Sequence, residues 1–174
     1  MTNTITTVRK ARVDDVPGMI ELINQYAKQG LMLPKSLNQV YQSLQEFVVL
    51  EQEKKVIGCG ALHVMWHDLA EIRSLAVAGP FTGNGAGGQI VARLLNHARD
   101  LGMPTVFALT YQADFFHKFG FHRVPKETLP RKIWADCLDC LKFPNCDEIA
   151  VILDIKDATA QERVKGKNDA VQDC

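Results

Sequence analysis

Leu75-Ala76-Val77-Ala78-Gly79-Pro80-Phe81-Thr82-Gly83-Asn84-Gly85-Ala86-Gly87-Gly88 runs from an apolar stretch through a breaker loop into a glycine cluster. Ahead of it, Glu71 to Val77 reads as a strand. Behind it, Ile90, Val91, Leu94, Leu95, Ala98 and Leu101 recur at helical spacing. Gly102 and Pro104 stop that helix before another strand, Thr105 to Thr110. Strand, glycine turn, helix and strand make a βαβ unit with a parallel crossover. Glycines at such a turn let the backbone approach a ligand closely, and the N–H groups of the first helical turn point at it. The helix dipole favours an anion there, so a pyrophosphate is the expected occupant.

Several readings of the turn compete at this point. Gly83, Gly85 and Gly88 satisfy G-x-G-x-x-G, but a dinucleotide fingerprint ends the first strand of a doubly wound domain, and here about 80 residues come first. A P-loop needs Lys and Ser or Thr after its last glycine; Gln89 and Ile90 stand there instead. A tight turn without any ligand stays open.

Toward the N-terminus, Val56 to Trp66 and Phe47 to Leu50 read as strands joined by the charged turn Glu51 to Lys55, hence antiparallel. Ser36 opens a helix with the apolar stripe Leu37, Val40, Tyr41 and Leu44, where Tyr41 is expected to pack. Before it, Thr6 to Lys10 alternates as a strand, and Asp14 or Asp15 caps a helix carrying Val16, Ile20, Ile23 and Tyr26. Toward the C-terminus come a short aromatic helix, Asp114 to Phe119, a strand after Gly120, an undetermined segment from Pro125 to Pro144, and a last strand, Ile149 to Ile155. The expectation is an α/β fold: one mixed, mostly antiparallel central sheet flanked by helices on both faces. Residues 1–156 read as a single domain and residues 157–174 as a polar tail.

The 174 residues carry 20 basic and 20 acidic side chains, so overall charge points to no nucleic acid and no anionic membrane as partner. The polar start lacks a signal-type apolar run, and no stretch is long and apolar enough to span a bilayer; a cytoplasmic location with reduced thiols is expected. Cys137, Cys140 and Cys146 lack a convincing fourth ligand nearby, so no metal site is expected.

Leu75-Ala76-Val77, a short loop and Gly83-x-Gly85-x-Gly87 together resemble the signature of the Gcn5-related N-acetyltransferase (GNAT) superfamily. Val8-Arg9-Lys10-Ala11 with Asp14-Asp15, and Phe116-His117-Lys118-Phe119-Gly120-Phe121, are similar to the family's first and late elements. Ile20-Glu21-Leu22-Ile23, Gln29-Gly30-Leu31-Met32-Leu33, Gly58-Cys59-Gly60-Ala61-Leu62, Glu71-Ile72 and Phe107-Ala108-Leu109-Thr110 resemble the acetyltransferase domain of bacterial N-acetylglutamate synthases. That resemblance implies acetyl-CoA as co-substrate, a small amino acid as acceptor, and L-glutamate above glutamine or another amine. A non-catalytic acyl-CoA sensor is the rival class, and a homodimer is one open state. The long synthases carry an amino-acid-kinase-like domain ahead of this one; with no counterpart in the sequence, arginine feedback through it is not implied.

By resemblance, Leu75, Ala76 and Val77 pair with the pantetheine arm, and the Leu75 N–H meets the thioester oxygen. Thr82, Gly83, Asn84, Gly85, Ala86, Gly87 and Gly88 then hold the pyrophosphate, with Phe116 beside the cofactor. Thr82 stands where the family usually has Arg or Gln, which shifts phosphate binding toward backbone donors and a hydroxyl. Phe116 replaces the tyrosine often proposed as general acid. An acceptor amine must lose a proton before it attacks, and Glu71 resembles the family's general base. The acceptor's carboxylates call for cations, preferably a forked guanidinium. Arg73 leads, on the same strand face as Glu71 unless a bulge intervenes, and Lys35 and His63 follow. Asn24 and His63 stand where the synthases tend to have basic residues.

Overall fold

The computed structural model describes residues 5–130, 140, 142 and 145–155. Among them are seven strands: β1 Thr6–Lys10, β2 Phe47–Gln52, β3 Lys55–Trp66, β4 Leu69–Val77, β5 Thr105–Thr110, β6 His122–Val124 and β7 Ile149–Asp154. They form one sheet in the order β1-β2-β3-β4-β5-β7-β6, antiparallel throughout except where β4 meets β5. The expected architecture stands, with its parallel step at the βαβ unit.

Helices α1 (Val16–Lys28) and α2 (Leu37–Gln42) cover one face, where Met19, Ile23 and Val40 pack with Val49, Cys59 and Ala61. On the other face α3 (Ala86–Asp100) and α4 (Ala113–His117) bring Ile90, Leu94 and Phe116 against Leu50, Leu62 and Ile72. The second core depends on two glycines of β3. A Cβ on Gly58 or Gly60 would stand 2.8 Å from an Ile90 carbon, so only a bare backbone lets α3 lie this close to the sheet.

β4 is the strand that positions the site. Its parallel ladder with β5 runs only from Leu69–Thr105 to Glu71–Phe107, after which the two strands part. Just beyond, Cys59 pairs with Ala76 and Ala61 with Arg73, so Ser74 and Leu75 together oppose Gly60. That extra residue is a β-bulge, and Ser74 takes φ +54, a left-handed conformation costing about 1–3 kcal/mol. The buried Cys59 thiol, pushed up to about 12 by desolvation and therefore protonated, donates to the Ser74 carbonyl at 3.7 Å.

Three local expectations change. Asp15 occupies the N-cap of α1 without capping it: its carboxylate accepts from the Arg12 N–H and from both terminal nitrogens of Arg9, which hold it below the usual carboxylate range. α2 buries only Val40 of its stripe, while Leu37 and Tyr41 are exposed, because six residues make too short a cylinder to press a whole face onto the sheet. Leu101 follows the last turn of α3 and is exposed. The proposed 157–174 tail and Cys137 lie outside the described residues.

Candidate active site

The parting of β4 from β5 opens a cleft of about 1760 Å³ that runs from the glycine turn to the loop between α1 and α2. Its first limb is built mainly from backbone. Leu75, Ala76 and Val77 line it along the stretch where β4 has no partner on β5. Tyr26 of α1 donates its hydroxyl to the Val77 carbonyl at 2.5 Å, fixing the strand's end. Gly83, with φ +80, and Gly85, with φ +79, shape the turn, and Gly85 is the N-cap of α3. No heavy atom lies within 4 Å of an ideal Cβ at either glycine, so the space above them is open. Their neighbours act differently. A Cβ on Gly87 would meet Phe115 at 3.2 Å, and one on Gly88 would meet Phe119 at 3.3 Å; these glycines let the aromatic segment close against the turn. Asn84 and Ala86 belong to the turn but do not line the cleft.

Thr82 lines the cleft, yet its hydroxyl donates to the Gly79 carbonyl at 2.8 Å. In this conformation the hydroxyl braces the loop, and the donors that remain for an anion at this turn are backbone N–H groups. Phe116 shows the cleft only an edge. It is 3% exposed and packs edge-on against Phe115 and Phe121, so it is core before it is a wall of the site.

The second limb is made of side chains. Glu71 and Arg73 line the cleft on one face of β4, with Arg73 Nη1 3.8 Å from Glu71 Oε2. The bulge begins one residue after Arg73 and therefore spares the alternation that unites them. Lys35 lines the cleft from the α1–α2 loop, whose backbone is clamped by Asn24: the Asn24 amide donates to the Lys35 carbonyl and accepts from the Lys35 N–H, both at 3.0 Å. Asn24 is thereby a loop anchor. His63, expected at the substrate, does not line the cleft; its Nδ1 lies 2.9 Å from Glu46 Oε1.

Several lining residues escaped the sequence reading. Tyr111, at the end of β5, donates to Asp147 at 2.7 Å and accepts from Lys142, which also donates to the Gly30 carbonyl at 3.0 Å. Lys126 donates to the Cys146 carbonyl at 2.6 Å. Half-buried Glu148 lines the cleft just before β7, and loss of solvent pushes its carboxyl above the ordinary range. No periodic pattern marks these positions, because they come from loops and are gathered only by the fold. Cys140 and Cys146 also line the cleft, and among the described residues no cluster could hold a metal ion.

A sheet split beside a bulged strand, above a glycine-started helix, leaves strand backbone exposed along the cleft and unpaired N–H groups at a helix start, where an anion is favoured. The chain belongs to the Acetyltransferase (GNAT) family, whose profile it matches over residues 18–121. Over 120 residues it is 48% identical to the amino-acid acetyltransferase of Mycobacterium tuberculosis, covering 67% of this chain and 68% of that protein. An uncharacterized N-acetyltransferase of Chlorobaculum tepidum is 37% identical over 147 residues, 84% of this chain and 95% of the relative. Among solved structures, a Mycobacterium tuberculosis protein in complex with CoA and a ligand designated NLQ superposes with TM-score 0.76 at 38% identity, covering 85% of this chain and 98% of the other. N-acetylglutamate synthase from Neisseria gonorrhoeae, complexed with coenzyme A and N-acetyl-glutamate, gives 0.79 at 25% identity, covering 88% of this chain and 36% of the synthase. Among the described residues no helix is long and apolar enough to cross a membrane.

Proposed function

We propose that this chain is a cytoplasmic amino-acid N-acetyltransferase that moves the acetyl group of acetyl-CoA directly to the α-amino group of L-glutamate. The product, N-acetylglutamate, would open arginine biosynthesis. One observation carries the reading: the gap between β4 and β5 joins a backbone-lined limb ending at the glycine turn to a side-chain limb bearing Glu71 and Arg73. The M. tuberculosis relative's name and the ligands of the solved neighbours support the same reaction class.

Acetyl-CoA supplies the activated thioester. Its pyrophosphate takes the N–H groups at the start of α3, and its pantetheine arm adds to β4 as an extra strand would. The Leu75 N–H meets the carbonyl oxygen, where charge gathers as the amine attacks. An α-amino group has a pKa of about 8 and arrives protonated, so Glu71 removes that proton directly or through a water. Arg73 and Lys35 receive the acceptor's carboxylates. Phe116 offers no proton, and the thiolate takes one from solvent.

Glutamine is the second acceptor reading, favoured by Glu148. A carboxyl in the cleft accepts hydrogen bonds from an amide end and repels a second carboxylate. Free-thiol release from acetyl-CoA across a panel of amino acids tests both readings. Glutamate turnover above all others supports the first, glutamine above glutamate supports the second, and silence with both overturns the acceptor class.

A further inference from the structure

The turn from Thr82 to Gln89 contains no charged side chain, and Arg93, about two turns into α3, does not line the cleft. The cofactor limb can therefore satisfy an anion's hydrogen bonds from its own backbone but brings little charge to it. A helix start amounts to roughly half an elementary positive charge, which falls short of the negative charge on a pyrophosphate. A full positive charge has to come from another element. α4 is the element packed against this turn: a Cβ on Gly87 would stand 3.2 Å from Phe115, one on Gly88 3.3 Å from Phe119, and the centres of the two rings lie 5.4 Å apart.

Lys118 caps the C-terminal end of α4, three residues after Phe115 and one before Phe119, so it shares a helix face with the first of these rings. It is exposed and lines the cleft together with Gly83, Gly85, Gly87 and Gly88. Other cations of the cleft serve elsewhere. Lys126 donates to the Cys146 carbonyl, Lys142 donates to Tyr111 and to the Gly30 carbonyl, and Lys35 and Arg73 belong to the side-chain limb. Among the described residues the Lys118 ammonium makes no hydrogen bond or ion pair, and the carboxylate of Asp114, on its own helix, lies 3.3 Å from Arg123. A lysine on its flexible stem can thus turn to a phosphate as a point charge without giving up a partner in the described structure.

We propose that Lys118 is the side-chain cation of the cofactor limb: it pairs with a phosphoryl group of acetyl-CoA beside the start of α3, where backbone N–H groups supply the hydrogen bonds and Lys118 the charge. This rests on the proposed seat of the cofactor at the glycine turn. CoA offers that chemistry in two places, its pyrophosphate and the 3′-phosphate of its ribose, and dephospho-CoA, which lacks the second, tells them apart.

Calorimetric titration of the full chain with CoA, wild type against Lys118→Met and Lys118→Arg, makes the test. Lys118→Met keeps an unbranched stem and loses the charge, so the Kd for CoA is expected to rise about fivefold at low salt, and the difference to shrink as ionic strength screens the pair. Lys118→Arg should stay within about twofold of the wild type. The same loss toward dephospho-CoA assigns the pyrophosphate, and a loss confined to CoA assigns the 3′-phosphate. An unchanged Kd in Lys118→Met overturns the proposal. So does a raised Kd that comes with a lowered melting temperature of the unliganded protein, which marks a packing role, or one that Lys118→Arg shares in full. A loss in Lys118→Met beside an unaffected Gly85→Ala takes the cation away from the glycine turn and overturns it as well. A wild type without measurable affinity for CoA overturns the cofactor seat and this proposal together; a wild type that binds CoA beside an indifferent Lys118→Met overturns the proposal alone.

Discussion

The two limbs of the cleft meet at the bulge of β4 and are made from different materials. On one side of Ser74 the chain offers backbone: Leu75 to Val77 parted from β5, two left-handed glycines and the first N–H groups of α3. On the other side it offers side chains drawn from distant elements, Lys35 from a loop whose backbone Asn24 clamps, and Glu71 and Arg73 from β4. On the proposed function, the difference follows from what each limb would have to hold. A pyrophosphate and an amide-rich arm are satisfied by N–H and C=O groups that any sequence supplies once the strand is bent open. An acceptor that differs from its rivals by one functional group needs charges at fixed places.

The largest expected effect separates the limbs by chemistry. Glu71→Gln keeps the shape of the side-chain limb and removes its proposed base, so turnover should fall on the order of 10²–10⁴-fold. CoA should still raise the melting temperature, by as much as is expected for the wild type. Turnover near the wild-type level in that variant would break the assignment and leave the acyl-CoA sensor, or another base, to be considered.

Two glycine substitutions sharpen the comparison from the other side. Gly60→Ala places a Cβ 2.8 Å from Ile90 Cγ2 and 3.2 Å from Leu94 Cδ1, inside the packed core, and should cost about 1–3 kcal/mol of stability. Gly85→Ala meets nothing in the protein, so its stability cost is the backbone one of φ +79, about 1–2 kcal/mol. Its methyl group stands where the phosphates are expected, and the KM for acetyl-CoA should rise about tenfold while that for the acceptor holds. Denaturant melts and paired KM values distinguish the two; an affinity loss in Gly60→Ala larger than in Gly85→Ala would mean that the turn is not where the cofactor binds.

The same division explains what the sequence could disclose. Gly83 and Gly85 stand at fixed offsets between a strand and a helix, so local chemistry marked that turn for an anion, and the sheet's parallel step followed from the βαβ unit, whereas the place of β7 between β5 and β6 did not. His63 was expected at the acceptor because imidazole suits a carboxylate, but its partner Glu46 is separated from it by a whole hairpin, and only register shows the pair. Thr82 was read as a phosphate ligand, whereas a carbonyl three residues earlier takes its hydrogen. Tyr111, Lys142, Asp147 and Glu148 were invisible for a simpler reason: they sit at strand ends and in a segment without periodicity, where three-dimensional proximity leaves no imprint on spacing. The bulge lay between these extremes. Alternation along β4 allowed for one, yet its place at Ser74 depends on Gly60 across the ladder.

The smallest effect concerns the price of the side-chain limb. Glu148 sits half-buried in the cleft with its carboxyl pushed upward by lost solvation, and the Cys146 thiol 3.7 Å away and two lysines offset only part of that loss. A carboxyl whose folded pKa exceeds its unfolded one binds a proton more readily in the folded state. Stability therefore declines as pH rises from the ordinary carboxylate range through the raised value, and above that value the full penalty remains. Glu148→Gln removes the penalty. It should be more stable than the wild type by about 0.5 kcal/mol at neutral pH, with the gap closing on acidification below the ordinary carboxylate range. Urea melts at several pH values follow that gap directly. If it widened toward acid pH instead, Glu148 would be a stabilised anion, paired by the cleft's lysines, and the side-chain limb would be held by attraction where desolvation is now assigned.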